Sequence, residues 1–222
     1  MRRYSLLLVC FSLYLYGCAT TQTSSVQLNQ PNQSFQPIVA ETEEVRRSAK
    51  APRILEDPFL IVSVDDQRMY VYSRTELIKS YTISTSRFGI GYTNGSYKTP
   101  LGWHRIYKKI GEGEPLGKVF KGREAVNYVA PIVRKESPCP CDRFMTTRIL
   151  WLDGLEVGKN AGGAGDTRER FIYIHGTNLE WEIGRPASFG CIYMKNDEVA
   201  ELFDLIPEGT IVHIQKERLT GD

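Results

Sequence analysis

Histidine is scarce in this chain. Its 222 residues include three, His104, His175 and His213, and no two stand at the spacing of a metal-ligand pair. The spacing therefore gives no support to a histidine-based metal centre, and no metal or organic cofactor is expected. Cysteine is also sparse, with five residues, and Cys139-Pro140-Cys141 lacks the two-residue spacer of a redox motif. No apolar run reaches the ~20 residues of a membrane-spanning helix. Charge of either sign is not in excess, with 28 basic and 26 acidic residues. Without a basic patch there is no electrostatic footprint for nucleic acid. The glycine-rich tracts 111–118 and 158–165 do not have the spacing of a phosphate loop, and both read as mobile loops.

The amino terminus carries targeting information. Met1-Arg2-Arg3 precedes the apolar run Leu6–Leu15, and Leu15-Tyr16-Gly17-Cys18 follows. This is a positive stretch, a short apolar stretch and small residues at a cut, the pattern of a secretory signal over residues 1–17. Leu-Tyr-Gly-Cys also resembles a bacterial lipobox, which implies cleavage before Cys18 and lipidation of its thiol. Ala19 follows, with no aspartate to imply inner-membrane retention, so the expected location is periplasmic and lipid-anchored at the outer membrane. Losing the signal removes Arg2 and Arg3 and leaves 26 basic against 26 acidic residues. Residues 18–53 are rich in Gln, Ser, Thr, Asn and Pro and read as a disordered tether. A folded domain over 54–216 and a short tail over 217–222 complete the expected organisation.

Within 54–216 the texture is β-rich. Phe59–Val64, Arg68–Tyr72, Leu77–Thr85, Trp103–Tyr107, Ile149–Leu152, Phe171–Ile174 and Ile211–Ile214 read as strands. One helix is expected after Asn196, read as its N-cap, with Val199, Leu202, Phe203 and Ile206 as the apolar stripe and Pro207 as the stop. Many strands and one late helix predict a mainly β domain. The segment Arg134–Arg170 reads equally as a lid or wall over the site or as a surface insertion.

Ser188-Phe189-Gly190-Cys191 lies downstream of His175-Gly176-Thr177. A thiol needs to lose its proton to become a good nucleophile, and an imidazole can take it. Cys191 is thus the candidate nucleophile and His175 its base. Gly190 would let substrate approach the backbone, and the Gly190 and Cys191 amides would face a developing oxyanion. Ser188 is expected to hydrogen-bond within the site or to cap local backbone. Gly176 and Thr177 would shape the turn after His175. Arg170 and Arg185 are candidates for gripping a carboxylate.

Ile174-His175-Gly176-Thr177, Ser188-x-Gly190-Cys191, the helix after it and Thr99-Pro100-Leu101-Gly102 together resemble the L,D-transpeptidases of the YkuD type, over about Phe59 to Ile214. The resemblance implies a YkuD-like β-sandwich of mixed sheets with one short helix after the nucleophile. It implies that Cys191 attacks a peptidoglycan tetrapeptide stem, releases the terminal D-alanine and passes the acyl group to an amine of another stem or of a protein. It also implies acylation of Cys191 by carbapenems. Two positions depart from the family pattern. Phe189 stands where relatives have a second histidine, and Tyr193 where they have arginine or asparagine. Phe189 is expected to desolvate the thiol; Tyr193 either offers its hydroxyl to the donor or packs. Two further readings stay open: a hydrolase that uses water as acceptor, and a tethered peptidoglycan-binding protein without catalysis.

Overall fold

The structure, a computed structural model, describes residues 57–74, 76–136 and 142–219. Cys18, Cys139, Cys141, the proposed signal, all of the proposed tether and residues 220–222 of the proposed tail lie outside the described residues. The strands are β1 (Phe59–Ser63), β2 (Arg68–Ser73), β3 (Glu76–Thr82), β4 (Gly102–Ile110), β5 (Lys118–Lys121), β6 (Glu124–Val129), β7 (Met145–Gly154), β8 (Tyr173–Thr177), β9 (Ile192–Met194) and β10 (Ile211–Gln215). Among the described residues one α-helix, α1 (Asn196–Leu205), lies between β9 and β10.

Hydrogen bonding runs β3-β2-β1-β10-β4-β7-β5-β6, with β8 on β7 and β9 on β8. The domain is mainly β, as expected, but the ladder is one continuous mixed sheet rather than separate sheets. β7 is the reason. Its 149–154 stretch pairs with β4, its first two residues pair with β5, and β8 pairs along 145–151. The segment Arg134–Arg170 is therefore no lid: its described part contains the strand with the most partners. The 158–165 tract is not a free loop either. Asn160 is fully buried, and its amide donates to Leu101 O at 2.9 Å and Trp103 O at 3.1 Å.

Period-2 alternation in β1 feeds two cores. Leu60 and Val62 join Val71, Ile106, Leu152, Ile174 and the helix residues Val199, Leu202 and Phe203 on one face. Phe59 and Ile61 join Tyr70, Tyr72 and Trp103 on the other. The helix stripe is as expected, but Asn196 is not a cap. It is the first helical residue, with Lys195 at the N-cap position, and its side chain is 1 % exposed. Thr146 and Thr147 donate to its Oδ1 at 2.7 and 2.5 Å, and its Nδ2 donates to Thr177 O and Glu180 Oε1, each at 2.8 Å. Asn196 thus ties helix, β7 and β8 together directly behind His175.

His104 and His175 are buried, His213 is half-buried, and desolvation holds all three neutral. His213 stacks on Trp103 with centroids 4.2 Å apart, and its Nδ1 has no partner. Burial lowers His213 to about 4 and His104 to about 3. The unfolded chain binds these protons near 6.5, so their contribution is fully present above that pH and is lost as pH falls toward 4. His213→Phe should leave stability at pH 7 unchanged or slightly higher, because it removes an unpartnered buried nitrogen. It should also make the acid loss shallower, by up to about 1.4 kcal/mol per pH unit. Urea unfolding at pH 7 and 4.5 reads both; an equal or steeper acid loss would contradict the assignment.

Candidate active site

Parallel pairing of β8 with β9 builds the site. Ile174 lies opposite Ile192, His175 opposite Tyr193 and Gly176 opposite Met194. Cys191 immediately precedes β9. Side chains alternate along each strand, so His175, Tyr193 and Cys191 share one face, and Cys191 lies one step diagonally from His175. His175 sits inside β8, not at the end of a strand as expected. Gly176 and Thr177 are likewise strand residues rather than a turn. Gly176 is glycine for a packing reason: a Cβ there would come within 2.8 Å of both Asn196 Oδ1 and Thr146 O.

The imidazole is oriented by its own strand. His175 Nδ1 stands 2.8 Å from Gly176 O. A carbonyl only accepts, so Nδ1 carries the proton and Nε2 is left with the lone pair. Burial depresses the ring to about 4. It is therefore the neutral, proton-accepting form that faces the site at neutral pH.

The thiol rests on backbone. Cys191 Sγ donates to Phe171 O at 3.5 Å, and the Tyr173 backbone amide also faces it. Phe171, expected to start a strand, instead has φ 56°, an uncommon conformation for a bulky residue that aims its carbonyl at the thiol. Burial pushes the thiol up to about 11, while the Tyr173 amide and the Arg170 charge pull the other way. That burial comes from Phe120, Ile149 and Tyr173, the cluster against which the partly exposed Cys191 packs. Phe189, expected to supply it, has its ring elsewhere. It lies 5.7 Å from Phe88 and 6.1 Å from Tyr97, with the Arg87 guanidinium 5.0 Å above it.

Residues 188–191 form a closed turn. Ser188 Oγ donates to Cys191 O at 2.5 Å and accepts from Gly190 N–H at 3.2 Å. Gly190 has φ 115°, and a Cβ would stand 3.2 Å from Ile172 Cδ1, so both backbone and space require glycine. The Gly190 amide, expected to face an oxyanion, is spent on Ser188. The Cys191 amide is the remaining candidate. Thr99, in the turn before β4, donates its hydroxyl to Gly190 O at 3.0 Å and accepts from Ser86 N–H at 3.0 Å. Carbonyl and amide point oppositely across a trans peptide, so this latch turns the Cys191 N–H away from Thr99. Ser84 exchanges two 2.9 Å backbone bonds with Tyr193, which closes the outer edge of β9.

The remaining expected residues separate. Arg170 is at the site: it donates to Gly91 O at 3.2 Å and Lys98 O at 2.6 Å, and its charge acts on Cys191. Tyr193 packs. It is buried, its ring 4.9 Å from that of His175, and burial raises its phenol. Arg185 lies apart from the thiol, over Trp181 at 4.5 Å. Reading the sequence missed Asn196 as an anchor, the Phe171 carbonyl, the latching role of Thr99, and the buried Glu180 and Glu182. Only Thr99 left a signal, in Thr-Pro-x-Gly.

A thiol one diagonal step from a neutral, proton-accepting imidazole, with a free backbone amide at its own residue, is the arrangement that cysteine acyl transfer requires. The sequence profile of the YkuD L,D-transpeptidase catalytic domain matches residues 57–214, and the chain belongs to that family. The probable L,D-transpeptidase ErfK/SrfK of Salmonella typhimurium is 49 % identical over 155 residues, which cover 70 % of this chain and 43 % of that protein. The probable L,D-transpeptidase YbiS of Escherichia coli is 24 % identical over 161 residues, covering 71 % and 44 %. The chain thus spans less than half the length of these relatives. The catalytic domain of an Enterococcus faecium L,D-transpeptidase, solved by NMR, aligns with 72 % of this chain and 98 % of its own at 17 % identity and a TM-score of 0.39. The avibactam carbamoyl form of the enzyme Ldtfm aligns with 74 % and 51 % at 17 % identity and a TM-score of 0.45.

Thr99→Val keeps shape and removes the latch. The rate of Cys191 acylation by a carbapenem should fall about 10- to 100-fold with the fold intact by circular dichroism. An unchanged rate would show that Thr99 does not set the Cys191 amide.

Proposed function

We propose that this chain is the catalytic part of a periplasmic, lipid-anchored L,D-transpeptidase acting on peptidoglycan stem peptides. The observation that carries the reading is the β8/β9 register, which sets Cys191 diagonal to a His175 whose Nδ1 is tied to Gly176 O. Cys191 Sγ attacks the carbonyl between the diamino acid and the terminal D-alanine. His175 Nε2 takes the thiol proton as the C–S bond forms, because a free thiolate and a free imidazolium are both disfavoured by burial here. The Cys191 amide holds the developing oxyanion. As the C–N bond breaks, the same proton passes to the leaving amine, and D-alanine departs from a thioester. An acceptor amine then attacks the thioester carbonyl and gives its proton to His175. The proton returns to sulfur as the C–S bond breaks. Arg170 supplies fixed positive charge beside the sulfur. The acceptor is an amine of a second stem or of a protein; the small-residue cut before Cys18 and the polar stretch after it support the anchor, and Ala19 in place of an aspartate supports the outer-membrane location.

The purified protein exposed to a carbapenem should gain one adduct by intact mass, and Cys191→Ala should gain none. With a tetrapeptide stem it should release D-alanine and, with an acceptor amine present, form a transfer product. A folded protein without adduct would sink the reading; D-alanine release with water as sole acceptor would recast it as a hydrolase. Labelled palmitate should enter the parent and not Cys18→Ser; equal labelling would remove the anchor.

A further inference from the structure

A second feature adjoins the site without belonging to its chemistry. A cleft of about 370 Å³ is lined by Arg87, Arg143, Glu182, Arg185, Pro186 and Ala187. It holds three guanidinium groups and one carboxylate. Glu182 is 4 % exposed and is gripped by both terminal nitrogens of Arg143, Nη1 to Oε2 and Nη2 to Oε1. That bidentate pair satisfies the carboxylate and fixes the Arg143 plane. Arg87 is 4.0 Å from the same carboxylate, and its Nε and Nη2 donate to Ala187 O at 3.1 and 2.9 Å. Arg185 has no acidic partner among the described residues; its plane lies over Trp181. One negative charge therefore balances one of three positive charges, and two remain facing a concave volume. Each of the three is held by neighbours in a defined orientation, which lowers the ordering cost of binding.

The cleft is joined to the nucleophile twice. Arg87 reaches from Glu182 to the Phe189 ring, two residues before Cys191. Ala187, on its wall, is four residues before Cys191, at most about 14 Å even if the chain were extended. Tyr193, packed on His175, also lies within electrostatic range of Arg143 and Glu182.

We propose that this arginine cleft is a carboxylate subsite, with Arg185 as its exposed fork, that binds a carboxylate of the stem peptide while Cys191 engages the scissile carbonyl. This rests on the transpeptidase reading. Planar guanidinium forks match carboxylates in bidentate fashion, and the buried Glu182 sets the cleft's geometry without cancelling its charge. The carboxylate belongs to the donor's terminal residue or to the side-chain end of its diamino acid.

Steady-state kinetics of the parent and Arg185→Ala on three donors tests this. The donors are a diaminopimelate tetrapeptide, the same peptide with its terminal carboxyl amidated, and a lysine tetrapeptide that lacks the side-chain carboxylate. Arg185→Ala should raise KM about tenfold for the first donor with kcat within about twofold, the loss of one charged hydrogen bond. For one of the other two, parent and variant should share the same weakened KM, and that donor names the carboxylate bound. An equal effect of Arg185→Ala on all three donors, or none, would overturn the proposal while leaving the transpeptidase reading intact. If the parent turns over none of them, that reading fails instead. Calorimetric binding of the same peptides to Cys191→Ala and to Cys191→Ala/Arg185→Ala then decides the cleft alone, with equal affinities overturning it.

Discussion

The parallel contact between β8 and β9 is the constraint on which the rest of the site depends. Parallel neighbours cannot be joined by a tight turn, so the chain between Thr177 and Ile192 has to travel. That crossover delivers Glu180 to Asn196, Glu182 to Arg143, and Ser188 to the turn that holds Cys191. The register then fixes how far the thiol stands from His175. Asn196 locks the pairing from behind, with four side-chain hydrogen bonds to β7, the end of β8 and the crossover. Thr99 locks it from the other side through Gly190 O.

Burial sets the chemistry of the pair. Desolvation pushes the thiol up to about 11 and the imidazole down to about 4, so each disfavours its charged form. A preformed thiolate–imidazolium pair is the alternative, and it would need a solvated or strongly acidic surrounding. Here the imidazole's second nitrogen meets a neutral carbonyl, Gly176 O, rather than a carboxylate. Among the described residues Arg170 is the group that favours the thiolate by charge, and its guanidinium is shared with two backbone carbonyls. The resting pair is therefore neutral, and in the proposed mechanism proton transfer accompanies attack.

Much of this was legible in the sequence, for physical reasons. Short apolar runs rich in β-branched residues, such as Phe59–Ser63 and Ile211–Gln215, and the apolar stripe of α1 declare themselves locally. Cys191 and His175 stand out as a candidate pair because thiol chemistry needs a base, the β8/β9 register brings them together, and the chain belongs to the L,D-transpeptidase family. What was not legible depends on long-range pairing. β5, β6 and β9 are short or exposed and carry little pattern. β7 cannot be recognised as the branching strand, because its partners lie far away in sequence. Asn196 has the residue type of a cap, yet tertiary contacts with Thr146, Thr147 and Glu180 take up its side chain. Phe171 looks like a strand residue, and only the structure shows the left-handed backbone that turns its carbonyl to the thiol. Phe189 suggested a covering ring, but Phe88, Tyr97 and Arg87 draw it to the surface, and Tyr173 and Ile149 cover the thiol instead.

The neutral resting pair is the central claim, and the pH dependence of Cys191 alkylation tests it most directly. Iodoacetamide reacts with thiolate, so the rate on the Cys191 peptide, followed by mass spectrometry, reports the thiolate fraction. The account predicts a rate that climbs about tenfold per pH unit from pH 6 to 9 without a plateau, as a thiol near 11 requires. A rate that is flat from pH 5 to 8 and falls only at lower pH would show a standing thiolate–imidazolium pair and contradict it.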